Sequence, residues 1–440
     1  MKKLFLILMT SFLMGSIVWG QQKRIDFVQY KLPNDIHVIL HQDNTNPIVA
    51  VTITYHVGSK NERADRTGFA HFMEHLMFEG SPNIERGEYF KIVQNAGGQV
   101  NAYTTQDKTY YYELLPSNQL ELGLWMEAER MLHLKIDSTG VETQRSVVKE
   151  ERSARFDNQP YGSILEETFV RAYTKHPYQW LPIGSAQYID QATLQEFQEF
   201  HATYYVPQNA TICLAGDFDI EEAKKLIDKY FAGIPQGKND IIRPNIIEPP
   251  LGKEKRDIIY DNIQLPAVIQ AYRIPKQGSD DSYALSMLTN IISSGESSRM
   301  YKSIVDEQQK AMAVISFPFP LEDPGLFLVF GISNMNVSAD DLENAINAEI
   351  EKIKKEGLTD REFQKAKNKA EAEFITGISS LATIADKLAN YHIFFGDANL
   401  INSEIDRYMK VTKEDIIRVA NTYLVSDNRV VLHYLPKTQK

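Results

Sequence analysis

The chain has 440 residues, a formal net charge of −11, 43% hydrophobic and 24% charged residues, and one cysteine. That length suggests two or three folding units, and the composition excludes long-range disorder. The acidic balance excludes a general nucleic-acid binder, and the single Cys213 excludes a disulfide framework or a multi-cysteine metal site.

Met1-Lys2-Lys3 followed by an apolar run to Met14, then Val18-Trp19-Gly20, has the basic, apolar and cleavable order of a signal peptide. Residues 1–20 are therefore expected to be removed from an exported protein, periplasmic or secreted, with a bacterial look to the leader. No later stretch is apolar enough for a stable membrane span. Residues 25–32 and 36–41 alternate around Pro33-Asn34-Asp35 as a hairpin, and Val49, Val51, Ile53 and Tyr55 alternate on a strand. Helices are expected over 67–78 and 86–96, the second ended by Gly97-Gly98. Strands over 100–105 and 109–114 and helices over 119–132 and 141–155 follow.

Further on, the chain reads as written twice. Thr193-Leu-Gln-Glu196 and Thr412-Lys-Glu-Asp415 both have the form of a helix-opening capping box. Thr203-Tyr-Tyr-Val206 matches Thr422-Tyr-Leu-Val425, Asn209 matches Asn428, and each helix runs into an apolar strand, all at an offset of 219. Pro47 and Pro266 keep the same spacing. A shared offset across separate segments predicts two similar halves. The expected fold is α+β: two tandem α/β sandwich halves, each a mostly antiparallel sheet packed with helices. The expected boundaries are 21–236, a polar, proline-bearing linker at 237–253, and 254–440.

His71-Phe72-Met73-Glu74-His75 falls within the first of these helices. Histidines at i and i+4 project from one face, so both imidazoles can reach one ion, and Glu74 can reach a water beside it. Such an ion acidifies water, and Glu74 takes the proton as general base for attack on a carbonyl. The third ligand is expected from 141–155. At about 100° per residue, Val141, Val147, Val148 and Ala154 define an inward face with Glu151 near its centre, while Glu150 points to solvent. Gln144, on the face of Glu151, can hydrogen-bond a ligand from behind.

The run from Gly68 to Ser81, with Glu151 76 residues after His75, resembles the M16 metallopeptidases, the pitrilysin/insulinase family. The resemblance spans nearly the whole chain after residue 20. It implies one Zn²⁺ per chain on His71, His75 and Glu151, Glu74 as base, and peptide hydrolysis inside a chamber formed by facing halves. Gly97-Gly98-Gln-Val-Asn101-Ala102-Tyr103-Thr104 resembles the family's substrate-binding edge strand, which implies Asn101 and Ala102 beside the scissile bond. At the 219 offset the metal-site residues fall on Asn290, Ser293, Ser294 and Ala370, so the second half is expected to lack metal ligands.

Two departures stand out. Relatives of this type carry an Arg and a Tyr seven residues apart in the later half, where this chain has Val305 and Met312. That likens it to the metal-bearing subunit of two-subunit enzymes and predicts a homo- or heterodimer, in which a second M16-like chain could supply the pair. Many relatives also place a glutamate at Gln144. The leading function is a zinc endopeptidase acting on peptides or unfolded segments, either a processing protease or a scavenger of oligopeptides. The alternative is a metal-bearing or structural subunit of a heteromeric complex with little activity alone. Arg299, Cys213, Tyr110 to Tyr112 and the remaining histidines read as structural.

Overall fold

The computed structural model describes residues 24–437, so the leader lies outside it. The chain begins with β1 (Val28–Lys31), β2 (His37–Gln42), β3 (Ile48–Tyr55), α1 (Phe69–Leu76) and α2 (Tyr89–Asn95). Next come β4 (Gln99–Thr104), β5 (Thr109–Pro116), α3 (Leu120–His133), α4 (Ser138–Arg152) and α5 (Ile164–Ala172). The first half closes with α6 (Ala186–Gln191), α7 (Leu194–Tyr204), β6 (Ala210–Gly216) and α8 (Ile220–Phe231). Beyond the linker follow β7 (Lys255–Asp261), β8 (Ala267–Arg273), α9 (Asp280–Ile292), β9 (Ala311–Phe319) and β10 (Leu326–Ser333). The chain ends with α10 (Ala339–Glu356), α11 (Asp360–Thr376), α12 (Leu381–Phe395), α13 (Glu404–Lys410), α14 (Lys413–Tyr423) and β11 (Arg429–Pro436).

The fold is α+β, with two sheets ordered β1-β2-β6-β3-β5-β4 and β7-β11-β8-β10-β9. One pairing in each is parallel, β2 with β6 and β7 with β11, and the others are antiparallel. α7 and α14 match end for end at the 219 offset, and both carry the capping box. The strands correct that single offset. Tyr55 faces Ala210, so a rigid shift would pair Ile274 with Arg429, but Arg429 faces Tyr272. β8 is slipped by two residues against its counterpart, and Pro47 and Pro266 are not equivalent. A slip of two preserves which side chains face inward, so the core pattern tolerates it.

The halves exchange a helix. α12 of the second half lies on β6 and β3 of the first sheet, while α5 of the first half lies on β8 and β11 of the second. Ile384, Ala385 and Leu388 bury against Ile39, Ala50 and the buried Cys213. Phe169 of α5 joins the core that includes Ile269, Leu328 and Leu432.

A charged clamp joins the halves near the end of β4. Lys60 Nζ lies 3.1 Å from Asp107 and 3.2 Å from Asp323, and also bonds Glu322. His56 Nε2 stands 3.0 Å from Glu322, and His176 Nε2 stands 3.2 Å from Asp323. Burial pushes the Glu322 carboxyl up, but His56 and Lys60 outweigh it and hold it at about 2, below its ordinary 4.5. A carboxyl depressed on folding stabilises the fold above its ordinary value and loses that contribution as pH falls toward the depressed one. Thermal melting of the wild type and Glu322→Gln across acid pH should show a gap at about pH 5 that closes as pH drops toward 2. A gap unchanged by acid would contradict this.

Candidate metal centre

α1 is placed by its apolar face and by its first turn. Phe69 and Phe72 stack on Phe197 of α7, with ring centroids 4.6 and 4.4 Å away, while Met73 and Leu76 are fully buried. The 3.6-residue period then leaves His71, Glu74 and His75 toward the cleft. The residue before the helix, Gly68, offers no side-chain cap. The buried Glu62 takes over that role, accepting the Gly68 N–H at 2.9 Å and the Ala70 N–H at 2.8 Å. Burial pushes its carboxyl up to about 8 against the pull of those N–H groups.

Gly68 has φ of +97° and Gly184 has φ of +65°, and the two backbones cross. A Cβ on Gly184 would lie 2.3 Å from Gly68 N and Cα, so only glycine fits there. Arg152, at the end of α4, donates to the Gly184 carbonyl and holds Glu166 Oε2 at 2.9 Å. The strap around Gly184 thus ties the start of α1 to the end of α4.

That junction brings the expected ligands together. Glu151 Oε2 lies 3.2 Å from His75 Nε2 and 3.6 Å from His71 Nε2, and the rings are nearly perpendicular at 82°. Bonds of 2.0–2.1 Å in tetrahedral geometry place neighbouring ligand atoms about 3.3 Å apart, close to both Glu151 separations, and the three ligand atoms all lie within 4.8 Å of one another, so the trio can hold a zinc ion. Burial, with His75 alongside, holds the His71 imidazole down to about 4, in the neutral form a metal requires. The carboxylates of Glu151 and Glu74 overcome burial and raise the pKa of His75, while His75 heads the groups that lower the pKa of Glu151. A cation is what this cluster of donors would take in place of a shared proton. Gln144 Oε1 stands 3.1 Å from His75 Nδ1, which fixes Nδ1–H as donor and aims Nε2 at the site. The amide of Gln144 in turn donates to Glu79, which pairs with Arg86.

Glu150 is exposed, but the face expected to be apolar is not as read. Val141 and Val148 are buried, whereas Val147 is 44% exposed and Ala154 is exposed. Val147 lines the open cavity beside Glu151 rather than the core, and Ala154 lies beyond Arg152, where the helix widens.

Burial raises the Glu74 carboxyl, against the pull of the Thr104 hydroxyl, which donates to its Oε2 at 2.5 Å. Thr104 ends β4, the outer strand of the first sheet, whose only partner among the described residues is β5 (Asn101 faces Tyr112, Ala102 faces Tyr111). The Ala102 N–H is taken by Asn101 Oδ1 at 2.9 Å. Asn101 and Ala102 thus stand on an edge lining the same cavity of about 510 Å³ as the two histidines, Glu74 and Glu151.

The family model described as "Insulinase (Peptidase family M16)" matches residues 37–179, and "Peptidase M16 inactive domain" matches residues 191–370. The zinc protease PqqE of Helicobacter pylori is 32% identical over 395 residues, covering 89% of each chain. The chain belongs to the M16 peptidase family. The crystal structure of a protease from Helicobacter pylori superposes with a TM-score of 0.90 at 30% identity, over 94% of this chain and 100% of that one. The periplasmic protease PqqL of Escherichia coli gives 0.77 at 19% identity, with 93% of this chain covering 48% of that one.

All four metal-site candidates of this M16 chain lie within the first matched region. At the 219 offset in the second half, Asn290 bonds Glu373 at 3.2 Å and Lys369 bonds Ser294. The other candidate trio among the described residues is Asp340, Glu343 and His433. There Arg256 grips both Glu343 oxygens at 2.6 Å, so the carboxylate is already paired with a cation. Val305 is half-buried and Met312 is 61% exposed on β9, and neither side chain offers a donor. Arg299 is tied to Glu362 and the Gly357 carbonyl, a structural role.

Sequence reasoning passed over Glu62, Gly184 and Arg155. Arg155 was open to discovery, four residues after Glu151 on a helix, and its guanidinium lies 2.7 Å from Glu151 Oε1. Glu62 and Gly184 meet α1 only through the tertiary fold. Replacing Gln144 by Ala should weaken zinc binding by about 10–100-fold in a chelator-competition titration. Gly184→Ala should destabilise the fold by about 1–3 kcal/mol in denaturant titrations and weaken zinc binding with it.

Proposed function

We propose that this M16 chain is a zinc-dependent endopeptidase that hydrolyses peptides or unfolded polypeptide segments. The reading is carried by one observation: ligand atoms of two imidazoles and a carboxylate lie within 4.8 Å of one another, with Glu74 and the edge of β4 lining the same cavity. His71, His75 and Glu151 would hold the ion. When bound, Zn²⁺ supplies Lewis acidity, lowering the pKa of water and polarising the scissile carbonyl. An extended substrate adds to the free edge of β4 by main-chain hydrogen bonds, displacing the Asn101 side chain from the Ala102 N–H. This mode places few demands on substrate sequence. Thr104 occupies Glu74 Oε2, leaving Oε1 to take a proton from the attacking water and deliver it to the departing amine nitrogen. The apolar side chains lining the cavity, Phe78, Phe90 and Val147, strengthen the electrostatics of these transfers.

Val305 and Met312 give the chain no side-chain donors for the developing oxyanion where relatives carry them. We therefore propose that it works as a homo- or heterodimer, with a second M16-like chain supplying those groups. The roughly doubled length of the Escherichia coli neighbour, half of which this chain matches, supports a requirement for two such units. A metal-bearing subunit with little activity alone is the variant that the Met312 position favours. The leader pattern supports export.

With zinc and a quenched unstructured peptide, Glu74→Gln should lower kcat/KM by at least about 10²-fold while retaining the metal. Chelation should abolish the wild-type rate, and a partner chain should raise it. Unchanged hydrolysis by Glu74→Gln would overturn the mechanism.

A further inference from the structure

Beyond Arg152 the helix widens. Residues Ser153–Asp157 form a π-turn, and the Asn158 N–H donates to the Ser153 carbonyl at 2.9 Å. Such turns re-aim side chains and recur at functional sites. Here the turn presents Arg155, whose side chain is 72% exposed although its guanidinium pairs with Glu151 Oε1 at 2.7 Å. Among the described residues, Arg155 is the only lysine or arginine lining the cavity that holds the two histidines, Glu74 and Glu151. The remaining walls are β4, Gln144 and the apolar side chains of Phe78, Phe90 and Val147.

A guanidinium has five donors in a planar fork, and one ligand oxygen cannot satisfy them. Among the described residues, Glu151 is its only ion-pair partner. Arg155 thus has donors to spare beside a cavity in which the two carboxylates would otherwise repel any anionic group. The fork matches a carboxylate better than a carbonyl, since two parallel N–H···O bonds can form.

We propose that Arg155 determines specificity by receiving an acidic side chain of the substrate close to the scissile bond, a role that rests on the peptidase reading above. Main-chain pairing along β4 sets the substrate's path, and Arg155 sets its register. Acidic substrates then gain a charge-assisted contact that neutral ones lack.

The test uses binding, so that it reads out even if turnover fails. Zinc-loaded full-length Glu74→Gln protein is titrated, by fluorescence anisotropy, with a neutral unstructured peptide and with the set in which one Gln at a time becomes Glu. One position should favour Glu over Gln by about tenfold, with the advantage shrinking as salt rises. Arg155→Ala in the same background should erase that advantage, and Arg155→Lys should keep part of it. The proposal is overturned if no position favours Glu, or if Arg155→Ala weakens Glu and Gln peptides equally. Equal weakening accompanied by lower zinc affinity would mark Arg155 as a residue that merely orients Glu151. If the binding preference appears but the zinc-loaded wild type cleaves nothing even with a second M16-like chain present, the peptidase reading fails and the site for acidic peptides stands.

Discussion

Three ligand atoms from two helices can share an ion only if the helices are locked at close range, and one backbone crossing sets that range. Gly184 lies against Gly68 with no room for a Cβ, while Arg152 reaches from α4 to the Gly184 carbonyl. The start of α1 and the end of α4 are thereby fixed to the same strap, with Glu62 closing the helix end that Gly68 leaves bare. His71, His75 and Glu151 face one another as a consequence. Interiors pack too tightly for such a crossing to drift without cost, so the spacing at the site is a property of the packing.

The same logic extends outward. Thr104 links the base, Glu74, to the edge strand, and the turn after Thr104 enters the clamp that Lys60, Asp107, Glu322 and Asp323 make between the halves. The reciprocal placement of α5 and α12 makes each sheet depend on a helix from the other half. The second half contributes no open donor set among the described residues, yet it supports the strand along which a substrate would lie.

Much of this was legible in local spacing. Histidines at i and i+4 define one helix face wherever the helix packs, and helical phase separated Glu151 from the exposed Glu150. The reasoning behind that choice was incomplete, because Val147 borders a cavity, and a cavity wall and a core look alike in a hydrophobic pattern. The repeat was legible in α7 and α14, where both sequence and length recur, but the two-residue slip of β8 was hidden because it keeps the alternation intact. The exchange of α5 and α12 was also hidden: an amphipathic helix announces that it buries a face, not which sheet covers it. Glu62 and Gly184 act across tertiary contacts, and spacing along the chain carries no trace of them.

The central claim is that His71, His75 and Glu151 together hold a zinc ion. A crystal structure of zinc-loaded protein, with anomalous data on both sides of the zinc absorption edge, tests it most directly. The account predicts one edge-dependent peak per chain, at bonding distance from both imidazole Nε2 atoms and from a Glu151 oxygen. A peak elsewhere, or none beside these residues at full zinc loading, would contradict it.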